Sequence, residues 1–298
     1  MSNCARPARS PWPRVAPRGS TRSTHASNPI GVFDSGVGGL TVLKALTAQL
    51  PHEHFVYLGD TARLPYGTKS PETVARYALQ AAEALADYGV KCLVIACNTA
   101  SSVGLPAIRE HIENVPVIGV IEPGAQAACA ASRTGNIAVI ATEGTVRGGA
   151  YQQAILRIRP DARVNAAPAP LFVALAEEGL NEGPIANDIA IHYLRPMFSP
   201  SDVSVPIPDT LVLGCTHFPM LARAIRRAVG ANVQIVDSAA TTAASVDVQL
   251  REAGLTRTAA GDGQVRLLAT DGSERFARVG SRFLERAITS GEVELVDL

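Results

Sequence analysis

Two runs constrain the fold of this chain more than any other feature: Leu93-Val94-Ile95-Ala96-Cys97-Asn98-Thr99-Ala100-Ser101 and Leu211-Val212-Leu213-Gly214-Cys215-Thr216-His217. Each is an apolar stretch of strand-like composition that ends in a small residue, then a cysteine, then polar residues suited to start a helix. If both runs are central parallel strands, both thiols sit at carboxyl ends of strands. Open α/β sheets bind their ligands there.

The rest of the chain repeats the same alternation. Strand-like segments near 28–33, 54–58, 91–96, 115–120, 136–141, 162–165, 210–214, 233–236 and 265–269 are separated by helical stretches, which indicates a mainly parallel α/β organisation. The pattern begins again after Ile121, so a first α/β domain is expected over 29–121 and 231–289, with a second over 122–230. Residues 1–28 are expected to form a basic, disordered leader and 290–298 a C-terminal tail. Pro106 requires the helix after Cys97 to start late or kink.

Composition narrows the function. Residues 1–28 hold five arginines and no acid, so the 27 basic and 27 acidic residues of the whole chain leave 22 against 27 in the remainder. That balance and an aromatic content of 5% argue against a nucleic-acid surface. No run approaches the length of a membrane span. The five cysteines, at 4, 92, 97, 129 and 215, form neither a disulfide framework nor a zinc-type spacing, which suits a reducing, cytoplasmic setting. No metal or organic cofactor is expected.

A thiol with an ordinary pKa near 8.5 becomes a useful base near neutrality with modest local help. Two thiols on opposite faces of a bound carbon acid can remove a proton from one side and return one from the other. That exchange inverts a stereocentre. Each cysteine taken alone also fits a buried core residue; Cys4, Cys92 and Cys129 do not repeat the strand-end pattern and read as incidental or structural. His217, two residues past Cys215, fits either a helper of that thiol or a capping group. Asp34, at the end of the first strand, fits either a polarising group or a turn cap. The glycine-rich turn Asp34-Ser35-Gly36-Val37-Gly38-Gly39 lacks the ending of a nucleotide-binding P-loop.

Taken together, Phe33-Asp34-Ser35-Gly36-Val37-Gly38-Gly39-Leu40, Ala96-Cys97-Asn98-Thr99-Ala100-Ser101 and Gly214-Cys215-Thr216-His217 resemble the glutamate racemases of the cofactor-independent aspartate/glutamate racemase superfamily. The resemblance spans about 29–288 and includes Gly59-Asp60-Thr61-Ala62-Arg63-Leu64-Pro65-Tyr66-Gly67 and Leu171-Phe172-Val173-Ala174-Leu175-Ala176-Glu177-Glu178-Gly179. It implies two pseudo-symmetric three-layer domains with an interdomain active-site cleft. It further implies that Cys97 takes the α-proton of D-glutamate and Cys215 that of L-glutamate, with Asp34 assisting the first thiol and His217 and Glu177 the second. Ser35, Pro65, Tyr66, Gly67, Asn98, Thr99, Thr142, Thr145 and Thr216 are implied in positioning substrate, together with Asp34 and His217. A homodimer, a supply of D-glutamate for peptidoglycan, and an allosteric activator of unknown identity belong to the same implication.

Two positions depart from the family pattern, Ala169 where cysteine is common and Ala174 where proline is frequent, both beside the Glu177 motif. Two other readings fit parts of the chain: a racemase for aspartate or another acidic amino acid, and a two-lobed amino-acid binding module. The binding module leaves the paired thiols without a use.

Overall fold

A computed structural model of the chain describes residues 25–199, 206–259 and 261–298. Most of the expected leader, with Cys4, and part of the proline-containing loop near 200 lie outside the described residues. The first half of the fold runs β1 (Ile30–Asp34), α1 (Leu40–Gln49), β2 (Phe55–Gly59), α2 (Pro71–Asp87), β3 (Cys92–Ile95), α3 (Asn98–Val103), α4 (Leu105–His111) and β4 (Val117–Gly119). The chain then forms α5 (Ile121–Ala131), β5 (Asn136–Ala141), α6 (Glu143–Gly148), α7 (Ala150–Ile158), β6 (Arg163–Pro168), α8 (Leu171–Glu178), α9 (Pro184–Phe198), β7 (Thr210–Gly214), α10 (Ala222–Val229) and β8 (Gln234–Asp237). Last come α11 (Ser238–Glu252), β9 (Val265–Ala269), α12 (Ser273–Leu284) and β10 (Val293–Leu295).

The strands form two parallel sheets, ordered β10-β9-β2-β1-β3-β4 and β6-β5-β7-β8. β1, β2, β3 and β7 are buried along their whole length, which is why they read in sequence as unbroken apolar runs. β6 is a half-exposed edge strand and ends in Pro168, a residue tolerated at an edge because its missing N–H interrupts no central ladder.

Each sheet reverses its winding beside its first strand. From β1 the chain moves outward to β2 and then returns past β1 to β3; from β5 it moves outward to β6 and returns past β5 to β7. The crevices at these reversals are where doubly wound sheets receive ligands. Asp34 and Cys97 stand at the first, Thr142 and Cys215 at the second.

Two expected boundaries differ. Residues 234–237, placed with the first domain from sequence, pair with β7 and close the second sheet, so the chain returns only at Ser238. The segment expected to be a tail carries β10, which pairs with β9 at the edge of the first sheet. Neither assignment is local: strand pairing depends on what lies alongside in space. The helix after Cys97 breaks at Gly104 and restarts with Pro106 in the first turn of α4, where a missing N–H leaves no helical bond unmade.

Candidate active site

The two crevices face each other across one cavity of about 330 Å³, lined by Ser35, Gly36, Leu64, Pro65, Tyr66, Gly67, Thr68, Cys97, Asn98, Thr99, Thr142, Glu143, Pro170, Val173, Ala174, Glu177, Cys215, Thr216 and His217. That volume lies at the small end of small-molecule pockets. Both thiols contribute to its wall and both are free cysteines.

Cys97 caps α3. Its sulfur accepts from the Ala100 N–H at 3.4 Å and its S–H donates to Ser35 Oγ at 3.5 Å. Burial and the nearby Asp34 carboxylate push the thiol up to about 12, against the pull of the Ser35 and Ala100 bonds. Asp34 itself is fully buried and does not line the cavity. Its Oδ2 accepts from the Gly36 N–H at 2.9 Å, while Oδ1 has no partner among the described residues. Burial raises the Asp34 carboxyl, offset by His217 and by backbone N–H groups.

The Cys215 side is built differently. His217 Nδ1 stands 3.8 Å from Cys215 Sγ and 3.5 Å from Thr216 Oγ1, and Nε2 stands 3.1 Å from Glu177 Oε1. Burial alone would lower the imidazole's pKa, but the bonds to Cys215 and Glu177 outweigh it and lift the ring from 6.5 to about 10. An imidazolium here stabilises negative charge on the Cys215 sulfur. Glu177 is held ionised by His217 first, against its own burial, with help from Arg275, whose Nη2 donates to Oε2 at 2.7 Å. Arg282 also donates to the Glu177 backbone carbonyl at 3.0 Å. The helix carrying these arginines, α12, which falls in the expected first domain, thus reaches the second thiol through Glu177.

Hydroxyls and amides fill the wall between the thiols. Thr99 Oγ1 lies 2.9 Å from Thr142 Oγ1 and 3.3 Å from Thr145 Oγ1, and the last two are 3.0 Å apart, so three side chains from both halves of the fold share one cluster. Thr145 sits behind Thr142 and does not line the cavity. Thr41 Oγ1 donates to the Thr216 carbonyl at 3.0 Å, a second link between the halves. Leu64-Pro65 is a cis peptide. The Tyr66 phenol donates to Asp60, whose carboxylate also accepts from Arg63 Nε at 2.6 Å and Thr270 Oγ1 at 2.9 Å, so the loop through Gly67 is tied to the end of the first sheet.

Sequence reasoning missed Gly36, Leu64, Thr68, Glu143, Pro170, Val173 and Ala174. A signal for three of them was present: Pro170, Val173, Ala174 and Glu177 fall at helical spacing and form one face at α8. Ala174, one of the two departures, therefore lies in the cavity wall, whereas Ala169 is buried behind it. Among the described residues no group of three or more His, Cys, Asp or Glu side chains is placed to hold a metal ion.

A family model described as Asp/Glu/Hydantoin racemase matches residues 30–246. The chain belongs to this family. It is 49% identical over 255 residues to a glutamate racemase from Geobacter metallireducens, covering 86% of this chain and 92% of that protein. Among solved structures, a glutamate racemase isoform from Bacillus anthracis aligns with a TM-score of 0.85 at 35% identity, covering 92% of this chain and 99% of that one. The glutamate racemase of Francisella tularensis, solved in complex with D-glutamate, aligns with a TM-score of 0.83 at 35% identity over 91% of this chain and 98% of that one. The chain is an isomerase of the racemase type, and its architecture is that of the solved glutamate racemases.

Proposed function

We propose that the chain interconverts L- and D-glutamate by two-base proton transfer at the α-carbon. The observation that supports this most is that Cys97 and Cys215, from equivalent strand ends of two sheets, line the same cavity. For L-glutamate, the Cys215 thiolate takes the α-proton and becomes a thiol. The Cys97 thiol then gives its proton to the opposite face of the carbanion and becomes a thiolate. The enzyme is left in the form that D-glutamate needs, and the reverse reaction restores it.

The high pKa of Cys97 supports its role as a proton donor that stays loaded at neutral pH, and as a strong base once its proton has gone. Asp34 assists that thiol; His217, held by Glu177, assists Cys215. The carbanion spreads its charge onto the α-carboxylate, where donors fixed in the cavity wall stabilise it without reorganising. Ser35, Thr99, Thr142 and Thr216 supply such groups, with Asn98 positioning the bound amino acid, Thr145 behind them, and Pro65, Tyr66 and Gly67 shaping the far wall. A carbon acid this weak still needs much of its barrier lowered by positioning. A supply of D-glutamate to peptidoglycan synthesis follows from the reading, as do a cytoplasmic location, which suits the free thiols, and a homodimer. Among the described residues no helix is long and apolar enough to cross a membrane.

The test is proton NMR in D2O with reduced enzyme and either glutamate enantiomer, coupled to chiral analysis, with aspartate in parallel. Deuterium is expected to enter Cα as the opposite enantiomer of glutamate forms. Exchange with aspartate alone moves the substrate assignment, and ligand binding without exchange favours a binding module. Cys97→Ser and Cys215→Ser are each expected to lower racemisation by at least about 100-fold while the protein stays folded, the scale of losing a general acid–base group. Near-normal turnover in either variant rejects the two-base assignment.

A further inference from the structure

The turns that carry the two thiols share a side chain that the mechanism above does not use. Tyr151, on α7, is 1% exposed. Its hydroxyl donates to Asn98 Oδ1 at 2.8 Å, and Asn98 directly follows Cys97. Its ring lies against Gly214, which directly precedes Cys215: a Cβ at Gly214 would stand 3.0 Å from ring atom Cε2. Gly124 of α5 provides another wall, where a Cβ would stand 3.2 Å from the phenol oxygen. One buried ring therefore touches the turn of each cysteine.

The bond to Asn98 determines what that residue offers the cavity. Burial pushes the Tyr151 phenol well above its ordinary range, so it is a proton donor at any working pH. With the phenol donating to Oδ1, Nδ2 is left as the other end of the Asn98 amide. Nδ2 is buried and has no partner among the described residues, while Asn98 lines the cavity. An unpaired buried donor is costly, and an acceptor oxygen on a bound molecule removes the cost.

We propose that Tyr151 is a positioning residue for the racemase reaction: its hydroxyl fixes the Asn98 amide so that Nδ2 donates to a carboxylate oxygen of the bound amino acid. The assignment rests on reading the cavity as the glutamate site. Tyr151 itself touches no substrate and acts through Asn98.

Tyr151→Phe tests it, because the ring stays between Gly124 and Gly214 and only the donor is lost. The Asn98 amide is then free to turn. KM for L- and D-glutamate is expected to rise about tenfold, the scale of one hydrogen bond, with kcat changed less than about twofold, since the contact is present in bound substrate and transition state alike. In an Asn98→Ala background the same change is expected to have no further effect on KM, because the two side chains act as one unit. Asn98→Asp, with Tyr151 intact, places a carboxylate where Nδ2 stood and is expected to raise KM more than Asn98→Ala does. This holds whether or not Tyr151→Phe folds.

An unchanged KM in folded Tyr151→Phe, a fall in kcat alone, an additional loss in the Asn98→Ala background, or Asn98→Asp binding as well as Asn98→Ala overturns the assignment. The unaltered enzyme is measured beside the variants. If it fails to racemise glutamate, the reading of the cavity falls and takes the assignment with it; if it is active while Tyr151→Phe matches it, only the role of Tyr151 falls.

Discussion

Replacing Glu177 with glutamine isolates what the carboxylate contributes to the second thiol. Glutamine keeps the shape and can keep a neutral oxygen 3.1 Å from His217 Nε2, so the change removes charge while leaving an acceptor. A hydrogen bond to a charged group contributes about 1.5–3 kcal/mol, and charge assistance accounts for roughly half. The expected loss is about 0.8–1.5 kcal/mol of support for the imidazolium beside Cys215, or about 4- to 13-fold in the step in which Cys215 takes the proton. Arg275 loses its partner at little cost, because its side chain is half exposed.

The assay has to separate directions. Two enantiomers have equal free energy, so kcat/KM must fall equally from either side. The asymmetry is read instead in primary isotope effects with α-deuterated L- and D-glutamate. Glu177→Gln is expected to raise the isotope effect from L-glutamate more than from D-glutamate, and to move the alkaline limb of the pH profile towards lower pH as His217 loses one of the two bonds, to Cys215 and to Glu177, that lift it to about 10. Equal isotope effects in both directions with an unmoved alkaline limb would refute the coupling of Glu177 to Cys215 through His217.

Two other expectations follow from the same site. A Cβ at Gly38 would stand 2.4 Å from both His217 Nδ1 and Thr216 Oγ1, so Gly38→Ala should cost about 1–3 kcal/mol of stability by denaturant unfolding and also lower turnover; a fully stable, fully active variant would mean the turn has room to move. His217, with its pKa raised from 6.5 to about 10, contributes stability that is complete below pH 6.5 and lost as pH rises through about 10, so the unaltered protein should lose more Tm over that window than His217→Asn does; parallel curves would contradict the raised value.

Local chemistry made much of this chain legible. The apolar runs at β1, β3 and β7 follow from strands covered on both faces, and β3 and β7 each end in a small residue followed by a cysteine. Cys97 and Cys215 could be singled out for that reason. Glu177 was harder to place, lying beside two departures from the family pattern; the structure puts its carboxylate on His217. Arg275 and Tyr151 carry no local mark of their connections, because each meets the site from a distant part of the chain.

By itself the sequence determined the alternation of buried strands and helices and the positions of the two thiols at strand ends, since both follow from residue type and spacing along the chain. The tertiary structure decided that the two winding reversals face one cavity, that β8 closes the second sheet and β10 edges the first, and that Asp34 and Thr145 stand behind the wall instead of in it. These depend on strand pairing and on packing between segments far apart in the chain, and such contacts leave no local periodicity to read.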